Sequence, residues 1–281
     1  MRARRYGVVL VCLLFAALLP GRSAGEPLEP VAGRIVATYD AGLAGINLGE
    51  FKVTATFAGS AYEMAAQGRF SLLAGLLYKG AGETTSNGTL TGANPRPARY
   101  MLSYEDNKKR QKLDMRFERG AVTDVRIVPD KPRRRDVPVT AEQLKGVLDP
   151  LTAAFLSLRS SAPPGNLSVC EETIRVYDGR QRFDLALAPK RTETLDDAPK
   201  GLPSRAAVCR VRYQPIAGYR PDHAGVQYMQ KNEKVEVWLV PAPGTDLYIP
   251  YKILVPTAWG TGTVALKGIS ANVGAQRAGV P

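Results

Sequence analysis

The chain is expected to be mainly β: a curved antiparallel sheet, forming a half-barrel, with a short helical hairpin packed on it. Three observations carry this. Apolar and polar residues alternate over successive segments, as in NLGEFKVTATFAG, where Phe51, Val53 and Ala55 face against Lys52, Thr54 and Thr56. Turn dipeptides separate these segments, among them Asp106-Asn107, Arg119-Gly120 and Asp178-Gly179. One stretch, VTAEQLKGVLDPLTAAFLSLRSS, carries a helical signal.

The N-terminus precedes the sheet. Arg2, Arg4 and Arg5 stand before a short apolar run, Val8 to Leu19, and then Ser23-Ala24-Gly25. That order is a secretory signal peptide over residues 1–25, cleaved near Gly25, where Ser23 and Gly25 fill the small-residue positions. The run is short of the roughly 20 residues that span a bilayer. Cys12 follows Val11, which argues against a lipid-modified cysteine. Export removes four arginines and no acid, taking the formal net charge from +12 to +8. Residues 26–281 are expected to form one β-rich domain, with a possible seam near 160–167 at SAPPGN.

Strands follow in order. GRIVATYDAGL, NLGEFKVTATFAG, AYEMAAQGRFSLL and ETTSNGTLTG come first, the last with a possible turn at Asn87-Gly88. RPARYMLSYED and KLDMRFERGAVTDVRIVPD supply three more and complete an antiparallel meander. Two short helices are expected next. Thr140 and Gln143 form a T-x-x-Q capping box, and Asp149-Pro150 is an N-cap with proline at the first helical position. Leu151, Ala154, Phe155 and Leu158 then share a helical face. The strands resume with a hairpin over 168–188, the Cys209 strand, KVEVWLVPAP, YIPYKILVPT and GTGTVALKGISA. Lys190 to Pro203 and Ala217 to Lys231 are expected as loops, and GAQRAGVP as a frayed tail.

With Cys12 removed, Cys170 and Cys209 remain as an even pair in an oxidising compartment. A two-residue turn at Asp178-Gly179 sets Tyr177 opposite Arg180 and Ile174 opposite Phe183. Cys170 then faces with Ile174 and Val176, and Cys209 with Val211 and Tyr213, towards a common interior. A structural disulfide between Cys170 and Cys209 is expected; a redox pair or a metal site are the alternatives, but there is no C-x-x-C motif and no histidine near either cysteine. The same register sets Arg175 opposite Arg182, like charges that need Asp178, Asp184 or an anion between them.

No catalytic constellation stands out. His223 is the sole histidine, and G-x-S-x-G, H-E-x-x-H and P-loop motifs are absent from the sequence. The sequence therefore predicts neither an enzyme nor a metal or cofactor site. Glu105-Asp106-Asn107 lacks the ligand spacing of a calcium loop. Glu171-Glu172 is expected as one exposed and one half-buried residue, and Trp238 and Trp259 as packing residues. Two basic clusters are clearer: Lys108, Lys109 and Arg110 in a hairpin turn, and Arg133, Arg134 and Arg135 after the early strands. The plain reading of both is solvated loops; the partner expected in an exported protein is an anionic envelope lipid or polymer, such as the membrane surface, rather than nucleic acid. SLLAGLLYKG places Leu72, Leu73, Leu76 and Leu77 on both parities, so a one-sided strand does not hide them all.

Three segments resemble the DUF3108 family of Gram-negative envelope proteins: LKGVLDPLTAAF, then YDGRQRFDL with CRVRYQPIAGYR, then VWLVP followed by IPYKILVPTAWGT. The resemblance spans roughly residues 33 to 268. It brings no catalytic set. It implies an architecture similar to the LolA/LolB-like lipoprotein carriers, a curved sheet closed by helices. The expected function is a periplasmic, non-enzymatic binding or carrier protein for a lipid or other amphiphile, with Leu72, Leu76, Leu151, Phe155 and Leu158 lining the site. The alternative is an envelope structural or assembly factor acting by protein–protein contact.

Overall fold

Alternation of apolar and polar residues makes each segment a strand with one face to bury, and pairing with the next segment in sequence is the shortest way to bury it. The computed structural model describes residues 31–72, 78–130 and 136–275. Segments 1–25 and 131–135, and with them the expected signal peptide and Arg133, Arg134 and Arg135, lie outside these residues.

The first meander comprises β1 (Val31–Leu43), β2 (Ile46–Ala58), β3 (Ala61–Leu72), β4 (Tyr78–Thr91), β5 (Asn94–Asp106), β6 (Arg110–Glu118) and β7 (Ala121–Val128). The second comprises β8 (Thr173–Tyr177), β9 (Arg182–Thr194), β10 (Arg205–Ala217), β11 (Glu236–Pro241), β12 (Tyr248–Thr257) and β13 (Gly260–Ala275). β1 pairs with β13 from Val31↔Ala275 to Leu43↔Gly262, so the two meanders form one 13-stranded antiparallel sheet, in the order β7-β6-β5-β4-β3-β2-β1-β13-β12-β11-β10-β9-β8. Connections alternate between two ends. The β1–β2, β5–β6, β8–β9, β10–β11 and β12–β13 connections share what we term the upper end; β4–β5, β6–β7 and β11–β12 share the lower end.

The edge strands β7 and β8 do not pair with each other. A strap, Lys145–Leu148, runs between them. Lys145 bridges Ala121 and the Gly146 amide donates to the Gly120 carbonyl at 2.8 Å, on the β7 side. On the β8 side the Leu148 amide donates to the Arg175 carbonyl at 2.8 Å, and the Tyr177 amide to the Leu148 carbonyl at 3.0 Å. Both exposed edges thus find hydrogen-bond partners without strand-to-strand closure.

Helix α1 (Pro150–Phe155) follows the strap, and α2 (Ala224–Lys231) lies in the β10–β11 connection. Around α1 are two apolar clusters. One holds Tyr39, Val53, Tyr62, Met64, Met115 and Leu151. The other holds Ala153, Leu158, Cys170, Val176, Cys209 and Val211.

Several details differ from expectation. The capping box forms, with the Thr140 amide donating to Gln143 Oε1 at 3.0 Å, but the helix behind it is one 3₁₀ turn, Glu142–Leu144. α1 ends at Phe155, so Leu158 lies beyond it; Ala154 is exposed, and the buried side is Leu151, Thr152 and Ala153. Asn87-Gly88 is a register shift inside β4 rather than a turn, because the strand continues to Thr91. β9 extends through Lys190 to Thr194, and α2 occupies part of the expected 217–231 loop. Cys170 sits in a 3₁₀ turn, Leu167–Cys170, ahead of β8. Glu171 and Glu172 are both exposed, and Trp259 is 81 % exposed.

The β8–β9 hairpin differs instructively. Tyr177 pairs with Arg182, Val176 with Phe183 and Ile174 with Leu185. Asp178 Oδ1 accepts the Arg180 and Gln181 amides at 2.8 and 2.6 Å, which widens the loop by two residues. A shift of two preserves parity, so the apolar face stays together. Arg175 therefore lies opposite Asp184, not Arg182. Arg182 is buried, donating to Asp184 Oδ1 at 2.6 Å and to the Gln143 carbonyl at 3.1 Å.

Candidate binding cleft

Asp149 is the pivot of the interior. It caps α1, accepting the Leu151 and Thr152 amides at 3.0 and 2.9 Å. Its second oxygen accepts the Thr152 and Ser86 hydroxyls at 2.6 and 2.8 Å. Tyr62 lies 3.0 Å from Thr152 Oγ1, and since the Thr152 proton goes to Asp149, the phenol is the donor. Asp149 and Thr152 are fully buried, so helix, β3 and β4 are tied by one polar knot inside the sheet. Burial raises the Asp149 pKa above its ordinary value against the lowering effect of these hydrogen bonds. The D-P-L-T motif is thereby accounted for as structure.

The expected lining residues are not gathered at one place. Leu151 and Leu158 are buried in different clusters. Phe155 is half-buried, edge-on to Tyr39 with ring centroids 5.8 Å apart. Tyr39 also stacks on Phe51 at 5.0 Å, and its buried hydroxyl has no hydrogen-bond partner among the described residues. Leu76 lies outside the described residues, and the Leu72 side chain is likewise not described.

One space for a ligand lies at the lower end. A cleft of about 960 Å³ opens between the β4–β5 turn, the β6–β7 turn, the strap and the start of β8. Val147, Leu148, Leu158, Val169 and Ile174 form its apolar floor, and these belong to or pack against the two core clusters. Arg96, Arg119, Lys145 and Arg175 rim it, all exposed, with Glu118 and Glu172 as the acids on the same wall. Lys145 pairs with Glu142 at 2.6 Å on an exposed turn. Arg96, Arg119 and Arg175 have no ion pair among the described residues. Arg159, also on the wall, is committed: it donates twice to Asp246 at 2.7 and 2.6 Å and once to the Gly92 carbonyl, clamping two lower turns together.

None of these arginines was marked by the sequence as a set. Arg119-Gly120 is recognisable as a turn and Arg175 as an unresolved charge, but only the strap brings them to one cleft. His223 is exposed at the N-cap of α2, in the upper β10–β11 connection, away from this cleft. Trp238 lies under two cations, Lys252 at 4.7 Å and Arg191 at 5.4 Å from its ring centroid, and donates to Glu236. No group of three or more metal-ligating side chains occurs among the described residues. No helix among them is long and apolar enough to cross a membrane.

A comparison with curated proteins found no match. Among solved structures, the chain is similar to a beta-barrel-like protein of the domain of unknown function DUF1849 from Brucella abortus. The identity is 11 %, with a TM-score of 0.49, over 86 % of this chain and 99 % of that one. The family model described as "Protein of unknown function (DUF3108)" matches residues 38–267, and the segments resembling it form the α1 cap, the β8–β9 hairpin with most of β10, and strands β11 and β12 with the turn into β13. The chain belongs to the DUF3108 family.

Proposed function

We propose that the protein is a non-enzymatic binding protein of the cell envelope, exported to the periplasm, that holds an anionic amphiphile in the lower cleft. One observation carries the reading. The cleft joins an apolar floor, continuous with the core, to a rim of arginines without carboxylate partners among the described residues. An acyl chain lies on Val147, Leu158 and Ile174, while its head group meets Arg96, Arg119 and Arg175. The volume falls in the range of pockets that enclose small ligands. Guanidinium groups suit a phosphate or carboxylate head through paired N–H donors.

Titration with dodecyl phosphate and with dodecyl maltoside, both below their micellar concentrations, tests this. The two share a chain and differ in head-group charge. Dodecyl phosphate is expected to bind more tightly, and the Arg119→Ala/Arg175→Ala double variant to lose about ten-fold or more, at ~1.5 kcal/mol per charged hydrogen bond. Equal affinity for both, unchanged in the variant, would overturn the assignment of the site. Native mass spectrometry of protein taken from the periplasm, followed by lipid extraction, identifies the natural cargo. A stoichiometric lipid mass is expected.

A further inference from the structure

The upper end of the sheet carries a second, independent feature. Four of the exposed large apolar residues lie there: Trp259 at 81 %, Ile46 at 57 %, Val128 at 56 % and Tyr228 at 42 % exposure. They come from different parts of the chain, namely the β12–β13 turn, the start of β2, the end of β7 and α2. Two of the hairpin tips touch. The Ala44 amide donates to the Thr261 carbonyl at 3.0 Å, and the Ala44 side chain fills the space beside Gly260. The tips that carry Ile46 and Trp259 therefore adjoin on one lip. α2 is fastened to the same place by Asn232, which donates to the Pro256 carbonyl at 2.8 Å.

The charges around this end are sorted. Its acids are occupied: Glu105 by Arg110, Asp130 by Arg180, Asp222 by Arg220 and Glu233 by Arg212. Asp106 accepts the Lys108 and Lys109 amides, and Asp178 those of Arg180 and Gln181. What remains is cationic, mainly lysine, with the exposed Arg69 beside it. Lys79, Lys108, Lys109, Lys231 and Lys234 are exposed and have no carboxylate partner among the described residues. An exposed tryptophan and tyrosine, two aliphatic side chains and a set of unpaired lysines on one end are the chemistry of an interfacial lipid contact. Aromatic rings settle at the head-group level, aliphatic tips enter the acyl boundary, and lysines meet anionic head groups.

We infer that the upper end docks on an anionic lipid surface, with Trp259 and Ile46 inserting and Lys108 and Lys109 held against the head groups. The contact does not require the lower cleft to be occupied, so the two assignments stand or fall separately. Geometrically, docking by the upper end leaves the lower cleft facing away from the bilayer.

The test uses ligand-free protein and sedimentation with vesicles of phosphatidylcholine alone or with added phosphatidylglycerol. Binding is expected to the anionic vesicles only, to fall with salt, and to shift the emission of Trp259 to the blue. Lys108→Ser and Lys109→Ser are expected to weaken binding about five-fold each. Trp259→Ala is expected to abolish the spectral shift while leaving Trp238 emission and thermal unfolding unchanged, because the side chain is on a turn in solvent. Absence of binding to anionic vesicles at low salt would overturn the proposal and reassign this end to a protein partner. Binding that survives Trp259→Ala together with both lysine changes would overturn it too, since another face would then be in use.

Discussion

At the scale of single residues the most informative side chain is Asp149. A carboxylate at an N-cap is common on a surface; here it is fully buried and its two oxygens accept four hydrogen bonds. Replacement by alanine removes the cap and strands the Ser86 and Thr152 hydroxyls, a cost of about 3 kcal/mol in chemical unfolding. The Asp149→Asn variant would keep an acceptor for the Leu151 and Thr152 amides without the charge. The pH response follows from the raised pKa. A raised carboxyl binds its proton more tightly in the folded state, so its contribution to stability is full below the ordinary value of 3.8 and is lost as pH rises through the raised value. Asp149→Asn is therefore expected to gain on the native chain between about pH 4 and about pH 7, with urea unfolding at both as the measurement. Parallel stability at the two values would mean that burial does not penalise this carboxylate. The N-cap itself was legible from Asp149-Pro150. Its burial was not, because Ser86 reaches it, and Tyr62 reaches its partner Thr152, from strands more than 60 residues away in sequence.

At the scale of elements, alternation told which residues share a face, and the structure keeps those faces. It did not tell where a turn begins. Asp178-Gly179 has the composition of a two-residue turn, yet the Asp178 side chain captures two amides and makes the loop longer. α2 was missed because Gly225 and polar residues dilute its apolar side; only Val226 and Met229 are partly buried. The two family motifs around this corner meet physically. Gly218 has φ +74°, and a Cβ there would fall 1.8 Å from the Arg180 carbonyl oxygen. Gly218 and Tyr219 also exchange hydrogen bonds with Val137. Gly218→Ala is expected to cost about 3 kcal/mol, from positive φ and backbone overlap together. Gly92→Ala is the control: φ is +57° but nothing lies within 4 Å of the added carbon, so about 1 kcal/mol is expected. Similar losses for both in thermal or urea unfolding would show that the close approach at Gly218 relaxes freely.

At the scale of the whole molecule, the β1–β13 pairing and the strap decide the architecture, and both are contacts between distant parts of the chain. Periodicity is silent about such partners, which is why a curved sheet was legible and its near-closure was not. The same distance explains why the arginines of the lower cleft and the exposed residues of the upper end become sets only after folding. It also assigns a place to the disulfide that joins Cys170 and Cys209. Cys170 lies just before β8 and Cys209 in β10, with Cα atoms 5.3 Å apart, so the bond staples the five-residue edge strand and its approach to the third strand inward. Closing a separation of 39 residues is worth about 4 kcal/mol on the chain-entropy account. Beyond that global loss, the position predicts where the reduced protein opens first. Amides of β8, and the Leu148 and Tyr177 bonds that tie the strap to it, are expected to lose hydrogen-exchange protection on reduction, while β2 to β5, deep in the first meander, keep theirs. Because β8 and the strap form one wall of the lower cleft, dodecyl phosphate binding should weaken in the same reduced sample before the sheet unfolds. Protection lost evenly across all strands would instead mean that the molecule opens only as a whole, and that the bridge acts on the unfolded chain alone.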